Sequence, residues 1–165
     1  MHAKRSIAWP HHIGGRATVP PPRPRLVFAR EDESRTGKGI SEPPRIMIVE
    51  DDFLVALEME GALTHAGYMV VGVAITADEA IEMAKAKQPS LAVMDIRLAG
   101  SRDGVDAALD LYRLYGIRSI FASAHGDERV RKRALGAAPL GWLPKPYTMT
   151  SLIAAVRAAL KQRDS

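Results

Sequence analysis

From Arg45 onward the apolar residues of this chain follow two patterns that alternate. Short, nearly unbroken apolar runs occur at residues 46–49, 68–74, 91–94, 119–122 and 140–143. Runs without polar alternation are the pattern of strands buried on both faces. Between them apolar residues recur at helical spacing. The successive stripes are Val55, Met59, Ala62 and Ala66, then Ala77, Ile81 and Ala84, then Val105, Ala108, Leu109 and Tyr112. Val130, Ala134 and Ala137 form the fourth, and Leu152, Ile153, Val156 and Leu160 the fifth. Each predicts a helix with that stripe turned inward. Local punctuation agrees: Gly67 supplies a stop, Thr76 to Glu79 has the form of a capping box, Pro89 closes the second helix and Asp127 can cap the fourth. Five β–α units joined by right-handed crossovers predict an α/β fold, a doubly wound five-stranded parallel sheet of flavodoxin-like strand order 2-1-3-4-5.

Residues 1–44 break this regularity. Pro20, Pro21, Pro22 and Pro24 crowd one short stretch among glycines and arginines, and no apolar period emerges. This segment reads as a disordered, basic, proline-rich tail. It also changes the meaning of the net charge of +4, because residues 1–42 carry eight basic and four acidic groups and the remainder balances to zero. The high pI therefore gives no reason to expect the folded part to bind nucleic acid. A basic arm for nucleic acid or anionic lipid is one reading of the tail; a passive extension, or a start codon set too far upstream, is the simpler one. With no cysteine there is no disulfide framework or thiolate zinc site. No apolar run is long enough to span a bilayer, and residues 1–19 contain no secretory apolar segment, so a cytoplasmic location is expected.

The candidate chemistry sits where the runs end. Glu50, Asp51 and Asp52 follow the first run directly, Asp95 ends the third, Ser123 the fourth, and Lys145-Pro146 the fifth. In open parallel sheets ligands bind outside the carboxyl ends of the strands, so the fold gathers these residues at one rim. Carboxylates clustered there repel one another unless they hold a cation or share a proton. Hard oxygen donors suit Mg2+. A carboxylate in such a site can act as nucleophile toward phosphorus, while an ammonium and a hydroxyl bind the phosphoryl oxygens.

The motifs IMIVED, LAVMD, FASA and GWLPKP, in this order and spacing, resemble the receiver domain of two-component response regulators. The resemblance covers residues 45–162 and implies a receiver domain over 45–163. It implies that Asp95 is the phosphoacceptor, that Asp51 ligates Mg2+ directly, that Glu50 does so through water, and that the backbone carbonyl of Arg97 completes the set. Ser123 stands where the family has a Ser or Thr that moves to the phosphoryl group, and Trp142 at the aromatic position that moves with it. Lys145 would pair with the phosphate, and the bond to Pro146 would be cis. Asp52 falls one place beyond the acid pair, on the rim. Two departures stand out: the loop from Gly100 to Gly104 looks lengthened, and Arg97 and His125 stand at positions that in the family tune how fast the phosphoryl group hydrolyses.

The reading that follows is a stand-alone, Mg2+-dependent phosphorylation switch rather than a conventional enzyme. Its phosphoryl donor would be a histidine kinase or phosphotransfer protein, its downstream partner a protein bound at the face of helix four, strand five and helix five, or it would relay phosphate. No DNA-binding domain and no membrane segment are expected, and dimerisation is open. The alternative is a phosphorylation-independent interaction module of the same fold. An aspartyl-phosphate hydrolase would need a second acid two places after Asp95, where Arg97 stands, and a flavin or nucleotide binder a phosphate loop where Glu50, Asp51 and Asp52 stand.

Overall fold

A computed structural model of the protein describes residues 42–124 and 128–163. The expectations for the tail before residue 42, for His125 and for the Asp127 cap lie outside the described residues. Five strands, β1 (Arg45–Val49), β2 (Met69–Ala74), β3 (Leu91–Asp95), β4 (Ser119–Ser123) and β5 (Gly141–Pro144), alternate with α1 (Phe53–His65), α2 (Ala77–Lys87), α3 (Gly104–Tyr115), α4 (Glu128–Ala134) and α5 (Met149–Arg163). All strand pairs are parallel, in the order β2-β1-β3-β4-β5. The fold class read from the apolar runs is therefore the one observed.

The unbroken runs have a direct structural meaning. Along β1, Ile46 and Ile48 enter a core with Met59 and Leu63 of α1 and Leu152 and Val156 of α5. Met47 and Val49 enter the opposite core, with Ala80 and Ala84 of α2 and Val105, Ala108 and Leu111 of α3. Successive side chains of a strand point to opposite faces, so a strand covered on both sides must be apolar at every position.

The helical stripes were displaced in several places. The inward face of α1 is Ala56, Met59 and Leu63; Val55 and Ala62 are half-buried, and Ala66 is the C-cap. In α3 the buried set is Gly104, Val105, Ala107, Ala108 and Leu111, while Tyr112 is exposed. Alanine-rich helices carry several overlapping stripes, and the sheet selects among them. The Thr76 hydroxyl accepts from the Glu79 amide at 3.1 Å, as a capping box requires, but the Glu79 carboxylate takes the Ile75 amide at 2.9 Å, one residue before the cap. A complete box stands instead at the start of α3, between Asp103 and Asp106. A 3-10 turn, Leu135–Ala137, follows α4.

Candidate functional site at the carboxyl rim

The sheet topology brings β1, β3 and β5 to one rim, and with them the acids and the lysine. Glu50 leaves β1 with its backbone amide bonded to the Ala74 carbonyl, which turns the residue into the interior: it is 2% exposed. Asp51 is exposed beside it, and Asp95, the last residue of β3, is 9% exposed. One carboxylate oxygen from each of Glu50, Asp51 and Asp95 lies within 4.8 Å of the others, the one cluster of this kind among the described residues. Asp52 does not join them. It is exposed and N-caps α1, accepting from the amides of Leu54 at 2.9 Å and Val55 at 3.2 Å.

Lys145 reaches this cluster from the end of β5. Its backbone amide donates to the Ser123 carbonyl at 2.7 Å, which fixes where the side chain starts. Its ammonium then donates to Asp95 Oδ2 at 2.9 Å and to Glu50 Oε2 at 3.1 Å. The Lys145–Pro146 peptide bond is cis. Ser123 closes β4, and with Asp95, Arg97, Val130 and Lys145 it lines a cavity of about 480 Å³ open to the rim.

Charge explains the behaviour of this corner. Burial, and then the neighbouring charge of Asp95, push the Glu50 carboxyl above the usual carboxylate range, although Lys145 and the Asp52 amide pull the other way. Burial acts to lower the Lys145 ammonium, but its bonds to Asp95 and Glu50 outweigh that and hold it above its ordinary value. Three carboxylates against one ammonium leave the cluster short of positive charge. A small hard cation with oxygen ligands fits that deficit and that donor set. The residues thus suit Mg2+.

Trp142 lies in β5, away from this rim, packed against the core beneath α3 and α4. Its ring stacks on Phe121 with centroids 4.8 Å apart, and the Arg131 guanidinium of α4 covers it 4.7 Å from the ring centre.

Sequence reasoning missed Gly104. A β-carbon built there would stand 1.8 Å from the Asp95 carbonyl oxygen, so the first residue of α3 is packed directly on the peptide of Asp95. Its amide also donates to the Ile96 carbonyl at 2.8 Å. The signal available was a glycine at a helix start, where Gly is otherwise a poor choice. The loop that looked lengthened is tied down on both sides: Ala99 bridges Thr76, and Arg102 holds Asp78 at 3.0 Å as well as Asp110.

A family comparison places this fold among signalling modules. Residues 46–157 match the response regulator receiver domain, and the chain belongs to that family, whose members are signalling modules of two-component systems. It is 31% identical over 120 residues to the transcriptional regulatory protein PdtaR of Mycobacterium tuberculosis, covering 73% of this chain and 58% of that one. It is 27% identical over 118 residues to the chemotaxis protein CheY of Thermotoga maritima, covering 71% of this chain and 98% of CheY. Among solved structures it is similar to the signal receiver domain of a modulated diguanylate cyclase from Desulfovibrio desulfuricans, with a TM-score of 0.68 and 32% identity over 74% of this chain and 97% of that one. The chain therefore spans little more than half the length of PdtaR. No helix among the described residues is long and apolar enough to cross a membrane.

Proposed function

We propose that this chain is a Mg2+-dependent phosphorylation switch in which Asp95 accepts a phosphoryl group from a phosphohistidine protein, a histidine kinase or a phosphotransfer domain. The observation that carries the reading is the Lys145 ammonium bridging Asp95 and Glu50, at 2.9 and 3.1 Å, beside a three-carboxylate cluster. Glu50 and Asp51, with Asp95 and the backbone carbonyl of Arg97, would hold the ion, whose chemistry is to neutralise the phosphoryl oxygens.

The Asp95 carboxylate then attacks phosphorus in line. A new O–P bond forms as the P–N bond of the phosphohistidine breaks, and the imidazole keeps the bonding pair and takes up a proton. Lys145 is already hydrogen-bonded to the nucleophile, and its ammonium is positioned to pair with a phosphoryl oxygen instead. Ser123 lines the same cavity and supplies a hydroxyl for a second oxygen. Hydrolysis reverses the state: water attacks phosphorus, the carboxylate is restored and inorganic phosphate leaves.

Arrival of the phosphoryl group removes Lys145 from its present partners and draws Ser123 toward the site. The readout would pass to Trp142 and the surface of α4, β5 and α5, where a downstream protein or a second copy would bind. The test is intact-mass analysis after incubation with Mg2+ and acetyl phosphate. The protein should gain one phosphoryl group, and neither the Asp95→Asn variant nor a Mg2+-free sample should. Wild-type protein that gains nothing would leave the phosphorylation-independent interaction module as the reading.

A further inference from the structure

Two features of the sequence remain outside this account: the loop ending at Gly104, and the basic run Arg129, Arg131, Lys132 and Arg133 on α4, which in the sequence alone reads as a solvated face. The structure joins them. Arg133 of α4 reaches across to α3, where its guanidinium binds the carboxylate of Asp103 and lies 3.3 Å from that of Asp106. Asp103 is the N-cap of α3. The same oxygen accepts from the amides of Val105 and Asp106, each at 3.0 Å. Asp106 in turn reaches back to the Asp103 amide at 3.4 Å. Arg133 therefore binds both side chains of the capping box at once. The next residue, Gly104, is the one packed on the Asp95 carbonyl.

An exposed ion pair ordinarily does little, and Arg133 is 45% exposed. Its setting differs from that of Lys132, which among the described residues pairs with Glu128 one turn earlier on the same helix. Arg133 bridges two helices, and its target fixes the turn that seats α3 against the acidic cluster. Burial acts to raise the Asp103 carboxyl, but its bonds to Arg133 and to backbone amides hold it below the usual range, in keeping with an occupied charged acceptor.

We propose that Arg133 is a positioning residue for the phosphoacceptor: through Asp103 and Asp106 it fixes the first turn of α3, so that the seat of α4 and the geometry at Asp95 are set together. The proposal rests on the reading of Asp95 as phosphoacceptor. It supplies a coupling route along the flank of α3, separate from Ser123 and Trp142. Coupling is reciprocal, so a partner that engages Arg133 on the exposed side of α4 would change the rate at which Asp95 is phosphorylated, and phosphorylation would change the affinity for that partner.

The experiment compares the maximum rate of Mg2+-dependent phosphorylation by acetyl phosphate in wild type, Arg133→Gln, Asp103→Asn, the double variant, Arg133→Lys and Lys132→Gln. Asn caps a helix as well as Asp, so Asp103→Asn removes charge while keeping the cap. Arg133→Gln and Asp103→Asn should each slow the reaction about three- to tenfold. The double variant should be no slower than the slower single, Arg133→Lys should recover part of the rate, and Lys132→Gln should match wild type. An unchanged rate in Arg133→Gln, or additive losses in the double variant, would overturn the proposal. Amide hydrogen exchange at Gly104, whose N–H is bonded to Ile96, separates this from failure of the phosphoacceptor reading. If wild type accepts no phosphate, faster exchange at Gly104 in Arg133→Gln still supports the positioning role, and unchanged protection refutes it.

Discussion

Replacing Lys145 with Met tests the charge balance on which the site reading depends. The side chain keeps much of its length and loses its ammonium, which now donates to Asp95 at 2.9 Å and Glu50 at 3.1 Å. The side chain of Glu50 is 3% exposed and that of Asp95 10%, so the carboxylates cannot turn to water. Breaking a buried ion pair by removing one partner costs about 3–5 kcal/mol. Two features reduce that here. Lys145 is itself 26% exposed, and Glu50, already above the usual carboxylate range, can escape by binding a proton. We expect a loss of about 2–3 kcal/mol at neutral pH without Mg2+, or roughly 8–12 °C in Tm for a domain of this size. A carboxyl raised in the folded state contributes stability that is present below its unfolded value and lost as pH rises through its folded value. The deficit should therefore shrink as pH falls from neutrality toward the ordinary Glu value of 4.5. Mg2+ should also restore more stability to the variant than to wild type, since two cations sharing carboxylates repel. At roughly 5 Å and the dielectric of water a divalent ion and an ammonium repel by about 1.6 kcal/mol, roughly a tenfold gain in Mg2+ affinity when the ammonium is gone. The assay is thermal unfolding with and without Mg2+ at two pH values, with calorimetric Mg2+ titration alongside. A variant as stable as wild type in Mg2+-free buffer at neutral pH, or one that binds Mg2+ more weakly, would refute the reasoning.

Gly104→Ala should destabilise the domain by about 1–3 kcal/mol and weaken Mg2+ binding, because the added carbon would overlap the Asp95 carbonyl; at an ordinary helix start the same change is favourable, so the sign in a denaturant melt is diagnostic. Arg131→Gln removes the cation over Trp142 and should shift its emission and cost about 0.5–1 kcal/mol, read in a background where the other tryptophan, Trp9, is replaced by Phe. Asp103, held below the usual carboxylate range, contributes stability that is present above its unfolded value of about 3.8 and lost as pH falls through its lower folded value; the stability difference between wild type and Arg133→Gln should therefore vanish in acid unfolding below that point.

The parts of this molecule legible in its sequence are those that one physical constraint decides alone. A strand covered on both faces must be apolar throughout, so β1 and β3 announce themselves, and a parallel sheet places its site where those runs end. Glu50, Asp51, Asp95 and Lys145 could be assembled at one rim on that basis before any distance was known. Which stripe of an alanine-rich helix turns inward is decided by neighbours, and so α1 buries Ala56 and Leu63 rather than Ala62 and Ala66. Polar side chains are harder still, because each has several partners within reach. Glu79 chooses Ile75 over Thr76, and Asp52, one residue from two clustered acids, spends its carboxylate on the α1 cap. Arg133 lay within a basic run that reads as a solvated face. Only the folded arrangement reveals that one arginine of that run binds both acids of the α3 capping box, one residue from the glycine seated on Asp95. Charge that a linear reading assigns to the surface is thereby tied to the backbone of the acidic cluster, which is why the site and the α4 surface should respond to the same perturbation.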